Sequence, residues 1–128
     1  MNSKQKGNGG ERELARLLRE WGYETRRGLQ YQSGQVEADV VGLPGLHIEC
    51  KRVQGLDINK AMAQSIRDAK EEEIPVVIHR ENRKPWSITL RLGDLVEICS
   101  LGGFWSDGLV TLLLDDFMPA YTIWEATT

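Results

Sequence analysis

Val36-Glu37-Ala38-Asp39-Val40-Val41-Gly42-Leu43-Pro44-Gly45-Leu46-His47-Ile48-Glu49-Cys50-Lys51-Arg52-Val53 is the stretch that decides how this chain folds. Two runs rich in Val and Ile, Ala38 to Val41 and His47 to Val53, flank a short Gly/Pro segment and read as an antiparallel hairpin. Side chains alternate faces along a strand. His47, Glu49 and Lys51 therefore share one face, and Ile48, Cys50 and Arg52 the other. Asp39, on the preceding strand, is near enough across the turn to meet Glu49. Two carboxylates and an ammonium are expected on one patch of sheet.

Carboxylates about 5 Å apart repel by roughly 3 kcal/mol at an effective dielectric near 20. A proton or a cation must offset that repulsion. Lys51 supplies one positive charge. A hard divalent ion such as Mg²⁺ supplies more, because it binds one or two carboxylates and completes its shell with water and substrate phosphates. An acid pair, a divalent metal and a lysine together suit phosphodiester hydrolysis. The metal polarises the phosphoryl oxygen and activates water, while the lysine orients the nucleophile or steadies developing charge.

Asp39 followed ten residues later by Glu49-Cys50-Lys51 resembles the signature of the PD-(D/E)xK nucleases. Lys6-Gly7-Asn8-Gly9-Gly10-Glu11-Arg12-Glu13-Leu14 is similar to the first helix of archaeal-type Holliday-junction resolvases and their phage relatives. The resemblance runs from about Lys4 to Ile78, with Ala38 where the superfamily name has a proline that shapes backbone and does no chemistry. It implies an α/β, restriction-endonuclease-like core, a mixed central sheet flanked by helices. It also implies Mg²⁺ (or Mn²⁺) held by Asp39, Glu49 and the backbone carbonyl of Cys50, with Glu11 on a second ion or a water and Lys51 on the nucleophile. The implied substrate is branched or structured DNA, cut by a homodimer in DNA repair or recombination. Two other readings stay open: a phage-type replication-repair nuclease acting on nicks, flaps or single strands, and a DNA-binding module that keeps the fold without turnover. Ser33 corresponds to a loop serine of the resolvases, and Gln64 to a helical glutamine of some superfamily members. Lys6, Arg26, Arg27 and Arg52 complete the candidate DNA contacts, with Arg26 and Arg27 alternating so that one faces the substrate.

The chain has 128 residues, 41% of them hydrophobic and 27% charged. That suits one soluble domain, with a nuclease core over residues 1–101 and an apolar, acidic extension over 102–128 belonging to the same domain. No run approaches the length of a membrane span, and no apolar segment follows the polar start, so the expectation is a cytoplasmic protein without membrane anchor or secretory signal. Cys50 and Cys99 lack metal-site spacing and are expected reduced and buried. The net charge is −3, but all 16 Lys and Arg precede Leu92, against 13 acids there, while residues 92–128 carry 6 acids alone. This asymmetry suggests a basic working face and an acidic tail.

Taken in order, residues 1–7 read as a polar lead outside any helix. A first helix is expected from Gly9 to Trp21, with Leu14, Leu17, Leu18 and Trp21 on its apolar face. Glu11 falls on the flank of that face, where a carboxylate needs a partner, and Glu13 falls nearer solvent. Gly22 ends the helix, and Tyr23 to Arg27 reads as a strand. A second helix is expected over Ile58 to Glu73, with Asp57 as N-cap and Ile58, Ala61, Met62, Ile66 and Ala69 as its packing stripe. Ile74 to His79 is a buried-type strand, parallel to the Lys51 strand across that helix. Trp86 to Arg91 alternates as a further strand, and Gly93 to Cys99 suggests a short helix capped by Asp94. His47 and His79 have no spaced partner and read as structural. The apolar residues from Phe104 to Trp124 either cover the core or form a subunit interface, and the interface is preferred by analogy with dimeric resolvases.

Overall fold

A computed structural model describes residues 3–29 and 37–128, with side chains from residue 9 onward. Ten elements follow one another: α1 (Ser3–Glu20), β1 (Arg26–Arg27), β2 (Val40–Val41), β3 (Leu46–Arg52), α2 (Ile58–Asp68), β4 (Ile74–Arg80), β5 (Ser87–Arg91), α3 (Leu92–Ile98), β6 (Leu109–Leu113) and α4 (Leu114–Ala126). The strands form one sheet in sequential order, β1 to β6. Among the described residues only the β3–β4 pair is parallel, and α2 makes that crossover. A mixed sheet flanked by helices is the α/β architecture expected.

The hairpin forms as read, with Val40 opposite Ile48. Its first strand is shorter than expected, but the Asp39 N–H still donates to the Ile48 carbonyl at 3.0 Å. The first strand is likewise confined to Arg26 and Arg27, paired with Val41 and Val40. Seven consecutive register pairs, Leu46 with Ile74 through Arg52 with Arg80, zip β3 to β4.

Helix α1 begins at Ser3 rather than Gly9, so the expected polar lead is mostly helical. Its glycines each weaken a helix by about 1 kcal/mol, but no proline stops it. Gly10 has a packing reason: a Cβ there would lie 2.9 Å from the Arg52 Cβ, so glycine lets α1 cross close over β3. Helix α2 ends at Asp68, five residues before the expected limit. Three consecutive glutamates beyond it, Glu71 to Glu73, would oppose the negative end of the helix dipole. Asp57 is the N-cap, accepting from the Lys60 N–H at 3.1 Å. The packing stripe differs from expectation, for Ile66 is 41% exposed and Ser65 is buried beside Ala61 and Met62. Asp94 does not cap α3; it lies within the first turn and accepts from the Arg91 Nε at 2.9 Å. Cys99 is exposed, against expectation, while Cys50 is buried.

The core is divided by the sheet. On one face Ile48, Cys50, Val76, Ile78, Ile88 and Leu90 pack with Leu14 and Leu18 of α1 and Phe117, Met118 and Tyr121 of α4. On the other, α2 lays Ala61 and Met62 against Val77 in a much smaller cluster. The side chains expected at a subunit interface thus include three, Leu114, Phe117 and Tyr121, that pack inside the protomer's own core. The Tyr121 hydroxyl donates to the Pro44 carbonyl at 2.7 Å and ties α4 to the hairpin turn. Among the described residues no helix is long and apolar enough to cross a membrane.

Candidate active site

The site lies where β2 leaves β3. Asp39, just before β2, accepts a hydrogen bond through Oδ2 from the Cys50 N–H at 2.9 Å. That bond fixes its carboxyl beside Glu49, the inward residue of the next strand and only 3% exposed. Burial raises Asp39 to about 7, with the Cys50 N–H opposing and the Glu49 and Glu11 charges adding to the rise. Burial also raises Glu49, but contacts with His47 and Asp39 and the His47 and Lys51 charges outweigh it, so Glu49 is lowered. The two carboxyls therefore titrate as a pair, and the opposite directions of their shifts favour the proton on Asp39. As two carboxylates neither has a proton to give, and the buried Glu49 Oε2 is then without a donor.

Lys51 is half-buried two residues on, on the same face, and its charge acts on both Glu49 and Glu11. Glu11 reaches the edge of this patch from the middle of α1. Burial raises it, Arg27 lowers it at 3.4 Å, and the Glu49 charge raises it again. Of the alternating arginines, Arg27 faces the acids; Arg26 turns outward to a two-pronged contact with Glu37 at 2.8 and 3.0 Å.

Among the described residues no group of three His, Cys, Asp or Glu side chains is placed to close on a metal ion alone. Asp39 and Glu49 form the close carboxyl pair, while Glu11, the candidate for a second ion or a water, lies beside Arg27. A hard divalent cation fits a two-carboxylate site, because Mg²⁺ takes one or two carboxylates and leaves the rest of its shell to carbonyls, water and phosphates. The donorless Glu49 Oε2, facing a carboxyl that is otherwise driven to keep its proton, is the local sign of that fit. The Cys50 thiol belongs to the core, where burial pushes its pKa well up, so only its backbone carbonyl is a ligand candidate.

Other candidates lie elsewhere. Arg52 sits on the opposite face of β3 from Lys51, 3.6 Å from Glu13, which also pairs with Arg80. This Arg–Glu–Arg group ties α1 to β3 and β4, so Arg52 is engaged within the fold, and Glu13 is half-buried rather than solvent-facing. Gln64 is half-buried on α2. Ser33 lies outside the described residues, as does the side chain of Lys6. His47 has a partner that the reading as a lone structural histidine missed: its Nε2 lies 3.3 Å from Glu49 Oε1. The signal was present, since alternation already set His47 and Glu49 on one face.

A family model described as "phage putative PDDEXK endonuclease" matches residues 2–100. No curated protein matches the chain. A solved Holliday junction resolvase from the archaeal hyperthermophile Archaeoglobus fulgidus is similar at 18% identity and a TM-score of 0.48, covering 92% of this chain and 88% of its own.

Proposed function

The chain belongs to the phage PDDEXK endonuclease family, and from that premise we propose that it is a divalent-metal-dependent endodeoxyribonuclease acting on branched or structured DNA. The observation that carries the proposal is the pairing of Asp39 with Glu49 beside Lys51, with one buried Glu49 oxygen lacking any donor. Asp39, Glu49 and the Cys50 carbonyl would hold Mg²⁺ or Mn²⁺. When bound, such an ion polarises the scissile phosphate and lowers the pKa of water.

The chain's own residues set the rest of the chemistry. The Cys50 N–H anchors Asp39, so the carboxyl keeps its place whether or not it carries a proton. Lys51 orients the attacking water and stabilises charge growing on the phosphate. Glu11, balanced by Arg27, orients the water or serves a second ion. Arg27 stands ready for the phosphate backbone once Glu11 is occupied. Preference for branched DNA rests on the Lys6 to Leu14 motif that resembles the resolvases. The phage character of the matching family favours a second reading, a replication-repair nuclease for nicks, flaps or single strands. A homodimer is proposed with the first reading, because two symmetric cuts need two sites.

One gel decides among these. Supercoiled plasmid should be nicked with Mg²⁺ and left intact with EDTA or with Lys51→Ala. A four-way junction, a flap and a linear duplex at one enzyme concentration then separate the substrate readings. Salt-sensitive binding without any cut would instead identify a binding module.

A further inference from the structure

We propose that His47 is a positioning residue for Glu49, holding one carboxylate oxygen so that the other is presented to the metal. The inference rests on the reading of Glu49 as a metal ligand. His47 is 6% exposed, and its Nε2 lies 3.3 Å from Glu49 Oε1. An ionised carboxylate only accepts, so the Nε2 of His47 carries the hydrogen and donates. Oε1 is thereby engaged and Oε2 is the oxygen left for another partner.

His47 is itself held at its backbone and at its ring. Ser65 of α2 donates to the His47 carbonyl at 3.3 Å and to the Val76 carbonyl at 3.0 Å. Nδ1 lies 3.8 Å from Glu73 Oε1, and that glutamate accepts from the Lys70 N–H at 2.8 Å. A line of carboxylate, imidazole and carboxylate thus runs from the α2–β4 connection to the site. A core histidine with no role would need a single partner for one nitrogen; here both nitrogens face carboxylates.

Behind His47 lies an open cavity of about 720 Å³, lined also by Pro44, Asp68, Lys70 and Glu73. Removing the imidazole donor would release Oε1 to water and let the carboxylate rotate. Partners of this kind typically contribute about 10- to 100-fold to metal affinity.

The test is Mn²⁺ binding by electron paramagnetic resonance without DNA, with thermal melts of the metal-free proteins alongside. His47→Leu should weaken Mn²⁺ by about 10- to 100-fold. His47→Gln, whose amide can reach Glu49, should restore affinity close to that of the wild type. Wild-type affinity in His47→Leu, while Glu49→Gln loses Mn²⁺, overturns the positioning role and leaves the active-site reading intact. Normal affinity in Glu49→Gln overturns the reading of Glu49 as a ligand, and this inference falls with it. If His47→Leu does not fold, His47→Gln against the shorter His47→Asn decides: weaker binding in His47→Asn alone supports the role, and equal affinity in the two overturns it.

Discussion

The two faces of the sheet are equally buried and chemically opposite. Along β3, Ile48 is 0% exposed and Glu49 3%, yet Ile48 meets a broad apolar core and Glu49 meets His47 and Asp39. The face under α1 and α4 is a continuous set of aliphatic and aromatic side chains. The face under α2 carries His47, Glu49, His79 and Thr89 beside a small apolar cluster of Ala61, Met62 and Val77 edged by Leu56, Ile58 and Leu109. Burial alone does not set chemistry; what covers the strand does. One face is arranged to hold the fold together, and the other keeps charged groups dry enough to interact strongly.

That division predicts separable losses. The largest effect is expected from Phe117→Ala, whose ring is fully buried and lies 6.0 Å from Tyr121 in a stacked arrangement. Such a truncation costs about 3–5 kcal/mol, read by urea unfolding. Plasmid nicking per folded molecule should change by no more than about twofold, as for independent sites. Collapse of nicking in the molecules that remain folded would break the separation of the faces.

Lys51→Ala is the converse. It should lower nicking by about 10²–10³, the usual cost of removing one preorganised charge-stabilising donor. Because Lys51 is half-buried at the end of the face, the unfolding midpoint should move by no more than about 0.5 kcal/mol in stability. Full nicking activity in this variant would remove Lys51 from the chemistry.

Much of this arrangement was legible in the sequence because strand alternation is a strict rule. It separated Glu49 from Cys50, while the Gly/Pro turn brought Asp39 toward Glu49 and the helical crossover set β4 parallel to β3. Helix limits were less legible. Nothing in Ser3 to Gly9 forbids a helix, but its polar residues carry no apolar period to mark the start of α1, and the phase of α2 depended on Ser65 finding the His47 and Val76 carbonyls. The apolar C-terminal segment was ambiguous for a deeper reason: a helix that covers its own core and one that covers a partner use the same side chains. At the site, alternation showed that Arg26 and Arg27 diverge, but only the position of Glu11 tells which one faces inward. Glu13 looked solvent-facing on a helical wheel, which carries no information about Arg52 and Arg80 arriving from the sheet.

A smaller effect sharpens the comparison on the charged face itself. Asp39 has a folded pKa raised to about 7 from an ordinary 3.8, so between those values the folded chain binds more protons than the unfolded one. Stability of the metal-free protein should then fall as pH rises through that window. Asp39→Asn keeps an acceptor for the Cys50 N–H and removes the charge. In EDTA at pH 8 it should be more stable than wild type by about 1–2 kcal/mol, with the gain gone near pH 4. With Mg²⁺ in place of EDTA at pH 8, nicking by Asp39→Asn should be lost. A variant less stable than wild type at pH 8 would mean that the carboxylate is not under strain from its neighbour.

The smallest effect asks where the chemistry on that face ends. Thr89, 1% exposed, shares hydrogen bonds with His79 Nε2 at 2.9 Å and the Thr111 hydroxyl at 2.6 Å. His79 is opposite Lys51 in the register, so this hydroxyl chain continues outward from the site across β4, β5 and β6. Burial lowers the His79 pKa, which favours a neutral ring that is held by hydrogen bonds rather than by charge. Thr89→Val preserves shape and removes the link. If the chain is structural, stability falls by about 1 kcal/mol and nicking per folded molecule stays unchanged. If nicking falls tenfold or more while stability holds, roughly 1.4 kcal/mol of transition-state stabilisation passes through Thr89. The active site would then extend past Lys51 to the far edge of the sheet, and the boundary between the two functions would lie between faces along its whole width.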